Sequence, residues 1–113
     1  MTDCLFCQIV AGEIPATVVH SDDELLAFRD INPQAAVHVL VIPREHHSNI
    51  AEVAAADAAL VGHMVTAAKV IAAGEVGEAS AYRLVFNTGA GAGQTVFHAH
   101  LHLLAGADLG AMS

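Results

Sequence analysis

Three histidines alternate with apolar residues near the end of the chain, at positions 98, 100 and 102. The residues between and beside them are Phe97, Ala99, Leu101 and Leu103. Because side chains point alternately to the two faces of a β-strand, the histidines would share one face and the apolar residues the other. One histidine on a strand is commonly structural, but three buried imidazoles would all need hydrogen-bond partners. The spacing therefore indicates a reactive row that could supply a nucleophile or metal ligands.

A glycine-rich segment, residues 87–94, directly precedes this row. It does not fit the dinucleotide-binding fingerprint, because Gln94 stands where the third glycine would be and the segment joins two predicted strands. It does not fit a P-loop either, because no Lys and Ser or Thr follow its last glycine. Backbone N–H groups in such loops can hold a phosphate. Beside the histidine row, the segment predicts phosphate chemistry.

A second group with chemical potential is the pair Cys4 and Cys7, spaced as C-x-x-C. In a reducing compartment this spacing is typical of a metal half-site or a redox pair rather than of a structural disulfide. A metal centre built on two cysteines needs two further ligands from elsewhere in the fold.

The balance of ionisable residues limits which ligands the protein could bind. The chain has twelve Asp and Glu, four Lys and Arg and eight His, for a net charge of −8. A DNA- or RNA-binding surface needs a basic stripe, which four cations do not supply. A small anionic nucleotide would have to be held by local donors, because the overall field opposes it. The composition excludes polynucleotides and leaves mononucleotides possible.

Length and composition predict one globular domain over residues 1–113. The chain is 55% hydrophobic and 14% charged, unlike disordered sequences, and it is too short for two separate cores. The N-terminus lacks a signal-peptide pattern, and no apolar run reaches the ~18 residues of a membrane span. The expectation is a cytoplasmic protein with no membrane partner.

The hydrophobic patterns predict an α+β fold with the order helix, β, β, β, helix, β, β, in which a helix lies across one face of an antiparallel sheet. The predicted strands are Thr17–His20, Glu24–Arg29, Val37–Ile42, Tyr82–Asn87 and Thr95–Leu104. Asp3 is expected to cap a short first helix, and Asp57 to cap the main helix. Gly74 or Gly77 would end the main helix.

The segment Gly93–Leu103 resembles the signature of the histidine triad (HIT) family, in which three histidines alternate with apolar residues. Other matching segments are Ile14–Ala16, Phe28–Ala35, His38–His46 and Asn87–Gly89. They follow the family's order from Asp3 to about Gly106, and the resemblance is closest to the nucleotide-binding branch. It implies a HIT-like fold with about five strands, one long helix and a short N-terminal helix. It also implies a homodimer formed through the Tyr82–Asn87 strand and the main helix.

The resemblance implies hydrolysis of purine nucleoside 5′-phosphoramidates, that is, of adenosine monophosphate (AMP) conjugates. His100 would attack the α-phosphorus and form a nucleotidyl-histidine intermediate. His102 would stabilise the phosphate oxygens, with help from the backbone N–H groups of Thr95 and Val96. The remaining residues expected at the catalytic and phosphate side are His38, Asn87, Gly93, Gln94 and Thr95. His20 and His63 match no functional position and are expected to be solvated.

The nucleoside is expected to bind in a pocket with apolar walls. Asp30 would accept hydrogen bonds from the ribose hydroxyls. The residues that match the family's pocket are Phe6, Ile9, Phe28, Asp30, Ile31 and Leu40. For each apolar member, simple core packing is the competing interpretation.

The resemblance also implies a structural zinc ion, which catalysis does not require. The expected ligands are Cys4, Cys7, His46 and His98, with His47 as a substitute for His46. His98 would then be structural, and the catalytic pair would be His100 and His102.

Other functions remain open at this point. One alternative is a nucleotide-binding regulatory or scaffold protein that hydrolyses its nucleotide only incidentally. The presence of all three histidines weighs against it, because binding alone does not require a nucleophile. A dinucleotide polyphosphate hydrolase is a second alternative, because Thr95 also occurs in that branch of the superfamily. A third is a metal hydrolase that uses the three histidines as direct ligands. The C-terminal segment 105–113 lacks the Trp-Pro-Pro-Gly ending of animal relatives. In the family dimer that ending lies near the partner's active site, so the resemblance does not specify the leaving group.

Overall fold

The computed structural model describes residues 4–106 and 108–111, and it contains five strands and three α-helices in this part of the chain. In chain order the elements are α1 (Leu5–Val10), β1 (Val18–Ser21), β2 (Leu25–Arg29), β3 (Val37–Pro43), α2 (Ile50–Ala56), α3 (Ala58–Val76), β4 (Tyr82–Val85) and β5 (Leu101–Ala105). A short 3₁₀ turn, Ala90–Ala92, lies in the glycine-rich segment. The expected cap Asp3 lies outside the described residues, and Cys4 occupies the N-cap position of α1.

The strands form one antiparallel sheet in the order β1-β2-β3-β5-β4. This confirms the predicted α+β architecture with its long helix and its short N-terminal helix. The pairing of β3 with β5 places Leu40 directly opposite His102, and His38 opposite Leu104. The histidines of two central strands therefore lie near each other on one face of the sheet.

Each face of the sheet buries its own cluster of side chains, as the alternation along the strands requires. Leu25 and Val41 face α3 and pack with residues such as Met64, whereas Phe28 and Leu40 face α1 and pack with Phe6. His38 and His102 share the strand periodicity of Leu40, so they lie on the α1 side. The fold thus has three layers, and the histidines lie between the sheet and α1.

The predicted last strand, Thr95–Leu104, is wrong in its first half, because β5 begins only at Leu101. The preceding residues bond to the chain that follows β3 instead of forming a ladder. The Ala99 N–H donates to the His47 carbonyl at 2.7 Å, and the Gln94 side chain donates to the Ser48 carbonyl at 2.7 Å. Phe97, predicted to lie on the apolar face of that strand, is 51% exposed for the same reason.

The sequence analysis also missed the helix α2. Its start carries reciprocal capping bonds: the Asn49 side chain accepts from the Glu52 N–H at 3.0 Å, and the Glu52 carboxylate accepts from the Ser48 N–H at 2.9 Å. The predicted cap of α3 is confirmed, since the Asp57 side chain accepts from the Leu60 N–H. Gly77, with a φ of 97°, ends α3, and not Gly74.

The helix α3 is the one described element that could cross a bilayer by length and composition. In this fold it lies on the sheet instead. Its buried residues are Leu60, Met64, Ala67, Ala68 and Ala72, and they pack with the strand residues of the core. The helix therefore has a buried face that serves the interior of this domain.

His20 and His63, expected to be solvated, join the turn between β1 and β2 to α3. The Asp22 carboxylate lies 2.7 Å from His20 Nε2 and 3.0 Å from His63 Nε2. His63 Nδ1 lies 2.8 Å from the Glu24 carboxylate. Because both nitrogens of His63 face carboxylate oxygens, its imidazole is best satisfied when it is protonated.

This cluster predicts a pH-dependent contribution to stability. Burial would lower the pKa of His63, but the Glu24 hydrogen bond and the Asp22 charge outweigh it and raise that pKa. Burial would raise the pKa of Asp22, but bonds from His20 and from two backbone N–H groups hold it well below its usual range. The His63 contribution is therefore complete below the unfolded pKa of about 6.5 and is lost as the pH rises through the folded pKa. The Asp22 contribution is present above about 3.9.

We expect His63→Gln to lower the melting temperature (Tm) by about 2–5 °C at pH 5.5, as for a partly exposed ion pair of under ~1 kcal/mol, and by clearly less at pH 8.5. Thermal denaturation of both proteins at the two pH values measures this. Lys69→Gln, an exposed change on the same helix, is the control and should show no such pH dependence. A His63→Gln difference that is the same at both pH values would contradict the charge assignment.

Candidate functional site

A cavity of about 630 Å³ opens between α1, the α1-facing side of the sheet and the residues that precede β5. Its walls are mainly apolar with a few polar groups among them, as is typical of small-molecule sites. The lining residues are Leu5, Phe6, Ile9, Ile14, Pro15, Ala16, Thr17, Phe28, Arg29, Asp30, Ile31, Asn32, Leu40, Thr95, Val96, His100 and His102.

The cavity brings together most of the residues that the sequence assigns to ligand binding. The members that line it are Phe6, Ile9, Phe28, Asp30, Ile31, Leu40, Thr95, Val96, His100 and His102. Asn87, Gly93, Gln94 and His38 are not among the lining residues. Ile14–Ala16, and Arg29 and Asn32 within Phe28–Ala35, belong to the matching segments but had no predicted role. Leu5 and Thr17 carried no signal in the sequence.

His100 presents one ring nitrogen to the cavity in the form that a nucleophile needs. Its Nδ1 lies 2.7 Å from the His98 backbone carbonyl. A carbonyl only accepts, so Nδ1 carries the proton and Nε2 keeps a free lone pair. The edge-on contact with Phe6, at 5.2 Å between ring centroids, restricts the ring further. His100 is only 7% exposed, so its orientation is fixed by packing and by this hydrogen bond.

His102 is held in the complementary tautomer by a chain of hydrogen bonds. The Gln34 backbone N–H donates to His38 Nδ1 at 2.9 Å, which leaves the proton of His38 on Nε2. That nitrogen donates to His102 Nδ1 at 2.9 Å. The remaining nitrogen of His102, Nε2, therefore carries a proton. His100 thus offers a lone pair, and the neighbouring His102 offers a hydrogen-bond donor.

Burial keeps the imidazoles of His38 and His102 neutral. Burial lowers the pKa of His102 to about 4, helped by the charges that His100 and His38 would carry and opposed by Asp30. Burial also lowers the pKa of His38, again opposed by Asp30. A neutral His102 can act only in the tautomer that its partner imposes, so the His38 contact decides what it does.

The three histidines do not converge on one ion. His98 points to the cysteines, His100 points to a backbone carbonyl, and His102 contacts His38. In the described part of the chain, groups of potential metal ligands include His98 with Cys4, and His102 with Asp30, but no such group contains all three. This geometry is unfavourable for a metal hydrolase with the triad as direct ligands.

The expected metal ligands Cys4, Cys7, His46 and His98 lie in one cluster, with all four donor atoms within 4.8 Å of one another. Cys7 Sγ lies 3.3 Å from His46 Nδ1 and 3.5 Å from His98 Nδ1. Cys4 Sγ lies 3.4 Å from His98 Nδ1, and the two Nδ1 atoms are 3.3 Å apart. The edges of a tetrahedron with Zn–S of ~2.3 Å and Zn–N of ~2.0–2.1 Å are about 3.3–3.8 Å, and those that involve a nitrogen are about 3.3–3.6 Å. The donors therefore fit a tetrahedral zinc ion.

His98 has the ring state that a ligand requires. Its Nε2 donates to the Pro43 carbonyl at 2.7 Å, so Nδ1 has a free lone pair toward the cluster. Burial lowers its pKa to about 4, opposed by that bond and helped by His46. His47, the expected substitute ligand, is absent from the cluster and lies 3.3 Å from the Glu45 carboxylate instead.

The charged side chains among the cavity-lining residues are Asp30 and Arg29. Asp30 accepts from the Asn32 N–H at 2.8 Å, and its other oxygen lies 3.4 Å from His38 Nε2. Arg29, the one cation among the lining residues, is paired with Glu75 at 2.7 Å. A bound phosphate would therefore depend on imidazole and backbone N–H donors more than on a cationic side chain.

Comparison with known proteins agrees with this geometry. Residues 11–109 match the HIT domain. An uncharacterised HIT-like protein of Synechococcus elongatus is 50% identical over 107 residues, covering 95% of this chain and 93% of that protein. The purine nucleoside phosphoramidase of Escherichia coli is 42% identical over 110 residues, covering 97% and 92%. A histidine triad protein structure from Clostridium difficile superposes with a TM-score of 0.93 at 37% identity, covering 100% and 98%. A HIT family hydrolase structure from Clostridium thermocellum gives 0.90 at 42%, covering 99% and 97%.

Proposed function

The chain belongs to the HIT family of nucleotide-binding hydrolases, and we propose that it hydrolyses purine nucleoside 5′-phosphoramidates to AMP-type products and an amine. The observation that supports this most is the pair of histidine tautomers: His100 Nε2 has a lone pair, and His102 Nε2 has a proton. Both residues line a cavity whose walls suit a base and a ribose.

In the proposed first step, His100 Nε2 attacks the α-phosphorus and forms a P–N bond. The bond from phosphorus to the leaving nitrogen breaks, and that nitrogen takes a proton from solvent and departs as an amine. The His98 carbonyl accepts from Nδ1–H throughout, so it stabilises the positive charge that develops on the ring. In the second step water attacks the same phosphorus and loses a proton to solvent, the P–N bond to His100 breaks, and the nucleoside monophosphate is released.

His102 would donate from Nε2 to a phosphate oxygen, where negative charge increases in the transition state. Thr95 and Val96 line the same cavity, and their backbone N–H groups would add two further donors. No metal is needed in either step, because these groups supply the electrostatic stabilisation.

The part of the cavity lined by α1, β2 and the residues after β2 would hold the nucleoside. Phe6, Phe28 and Leu40 belong to the buried cluster beneath α1, so packing and base contact are two functions of the same side chains. Ile31 is 91% exposed and lines the cavity, so its role is contact with a ligand rather than core packing. Asp30 would accept from the ribose hydroxyls.

Hydrolysis of a matched set of substrates tests the proposed function. We expect release of AMP from adenosine 5′-phosphoramidate, with a kcat/KM at least ~10-fold higher than for a diadenosine polyphosphate. Within residues 4–106 and 108–111, the cationic side chain that lines the cavity is Arg29, and its pairing with Glu75 leaves no free cation for additional phosphates. Affinity for AMP without turnover would indicate a binding protein instead. Faster cleavage of the polyphosphate would indicate the other branch of the family.

We further propose that Cys4, Cys7, His46 and His98 hold a structural zinc ion. The bound ion would tie α1 to the chain that follows β3 and to the residue two before the nucleophile. It would supply folding energy, because the four ligands come from three separate parts of the chain.

We expect His46→Ala to lower zinc stoichiometry and to decrease Tm by about 10–20 °C, the effect of removing a tightly bound ion from a domain of this size. His47→Ala is the matched control, because the neighbouring histidine lies outside the cluster and should leave both values near wild type. Metal analysis of protein purified without added zinc, with thermal denaturation, measures this. Equal Tm values for the two variants and no zinc in the wild type would refute the site.

We also propose a cytoplasmic homodimer that pairs through β4 and α3. The strand β4 lies at the edge of the sheet, and an unpaired edge with apolar residues favours association. Tyr82, Val65 and Val70 are 38%, 39% and 63% exposed on these elements. Sedimentation of the purified protein should give twice the chain mass, and a monomer at micromolar concentration would contradict this assembly.

A further inference from the structure

The side chain of Gln94 is buried at the point where the glycine-rich segment meets the residues before β5. It is 3% exposed and does not line the cavity, so it does not contact a ligand there. We propose that Gln94 is a positioning residue, which holds the backbone N–H groups of Thr95 and Val96 in the direction of the bound phosphate. This inference rests on the proposed function and explains how its phosphate donors are kept in place.

Three hydrogen bonds connect Gln94 to three separate segments. Its Oε1 accepts from the Gly89 N–H at 2.8 Å. Its Nε2 donates to the Ser48 carbonyl at 2.7 Å and to the Val96 carbonyl at 3.0 Å. Both N–H bonds of the amide are therefore used, and the side chain links the glycine-rich segment, the start of α2 and the chain that leads to His100.

The backbone of the same residue adds a fourth bond, since the Gln94 N–H donates to the Gly89 carbonyl at 3.1 Å. Gly89 thus accepts a hydrogen bond from the backbone N–H of Gln94 and donates one to its side chain. Gly89 and Gly93 have φ values of 89° and 96°, in the region that favours glycine, so the segment can close into this tight arrangement. The peptide that carries the Thr95 N–H follows directly and is fixed by these contacts.

The two N–H groups that Gln94 would orient have no acceptor of their own. Among residues 4–106 and 108–111, neither the Thr95 N–H nor the Val96 N–H donates to another protein group. Both residues line the cavity beside His100. Two adjacent unpaired amides are suited to bind an anion, provided that the chain holds them in position.

Glutamine meets requirements that closely related residues do not. Methionine has a similar length but makes none of the three hydrogen bonds. Glutamate keeps the shape and the acceptor for Gly89, but its carboxylate would face the Ser48 and Val96 carbonyls without a proton to donate. A comparison of glutamine, methionine and glutamate at this position therefore separates the effect of packing from the effects of the accepted and the donated hydrogen bonds.

Binding of AMP and of adenosine to the purified full chain tests the inference, because the two ligands differ only in the phosphate. We expect Gln94→Met to weaken AMP binding about 10-fold or more and to leave adenosine binding within about 2-fold. The kcat for adenosine 5′-phosphoramidate should fall about 10²-fold, as when a transition-state donor is lost, with a smaller change in KM. Gln94→Glu should show the same selective loss, and it serves as the second variant if the methionine protein folds poorly.

Glu52→Gln is the matched control, because Glu52 also contacts Ser48 but bonds to its N–H. It should leave the ratio of AMP to adenosine affinity unchanged even if it lowers Tm. A wild-type ratio in both Gln94 variants, or an equal loss of both ligands, would overturn the positioning role. If the wild type itself bound AMP no better than adenosine, the proposed function would fail before the role of Gln94 was reached.

Discussion

Replacing His100 with alanine is expected to lower kcat/KM for adenosine 5′-phosphoramidate by about 10⁴–10⁶-fold, the scale on which loss of a covalent nucleophile acts. The reason is that the hydrogen bond from His100 Nδ1 to the His98 carbonyl leaves a lone pair on Nε2 of a side chain that lines the cavity. Steady-state hydrolysis, with AMP affinity measured separately, separates a loss of chemistry from a loss of binding.

The AMP affinity of the His100→Ala protein should remain within a few fold of wild type, because the nucleoside walls and the backbone donors are unchanged. His20→Ala is the control, since it removes an imidazole from the distant cluster with Asp22 and should leave turnover intact. Wild-type turnover in the His100→Ala protein would rule out the nucleotidyl-histidine route.

Replacing His102 with alanine is expected to decrease kcat by about 10²–10³-fold, as when one preorganised donor to an oxyanion is removed. His102 Nε2 carries its proton because His38 occupies Nδ1, so the donor is set before substrate binds. The KM should change little, since the interaction strengthens mainly as charge builds on the phosphate oxygens. Measurement of kcat and KM at one pH for both proteins checks this.

His102→Gln provides the informative comparison, because its amide can donate a hydrogen bond without the ring. It should recover about 10-fold of the kcat that alanine loses, consistent with one hydrogen bond of ~1.4 kcal/mol. If the alanine variant lost less than about 3-fold, or if glutamine restored nothing, donation from this position would not be the role of His102.

The strand pattern predicted most of the fold. Alternating apolar residues in β2 and β3 fill two separate clusters, so their period was sufficient to place them. The same alternation gave a wrong prediction at Phe97, because residues before β5 bond to the chain after β3 rather than to a neighbouring strand. Only tertiary contacts distinguish these two outcomes.

The residues of the site were largely predictable, whereas their chemical states were not. Matching segments along the chain identified His100, His102 and the cavity walls, and the C-x-x-C spacing identified half of the cluster of two cysteines and two histidines. The tautomer of His102 depends on the Gln34 backbone N–H, which contacts His38 from a loop. No sequence pattern encodes that contact, and none encodes the three bonds that hold Gln94.

Rapid base quenching of the enzyme with an adenosine 5′-phosphoramidate labelled at phosphorus is the most direct test of the proposed mechanism. The mechanism predicts a base-stable, acid-labile nucleotidyl adduct that forms within the first turnover and maps by mass spectrometry to His100. The His100→Ala protein should give no adduct. Label on another residue, or turnover by the wild type with no protein-bound label at any time, would contradict covalent catalysis by His100.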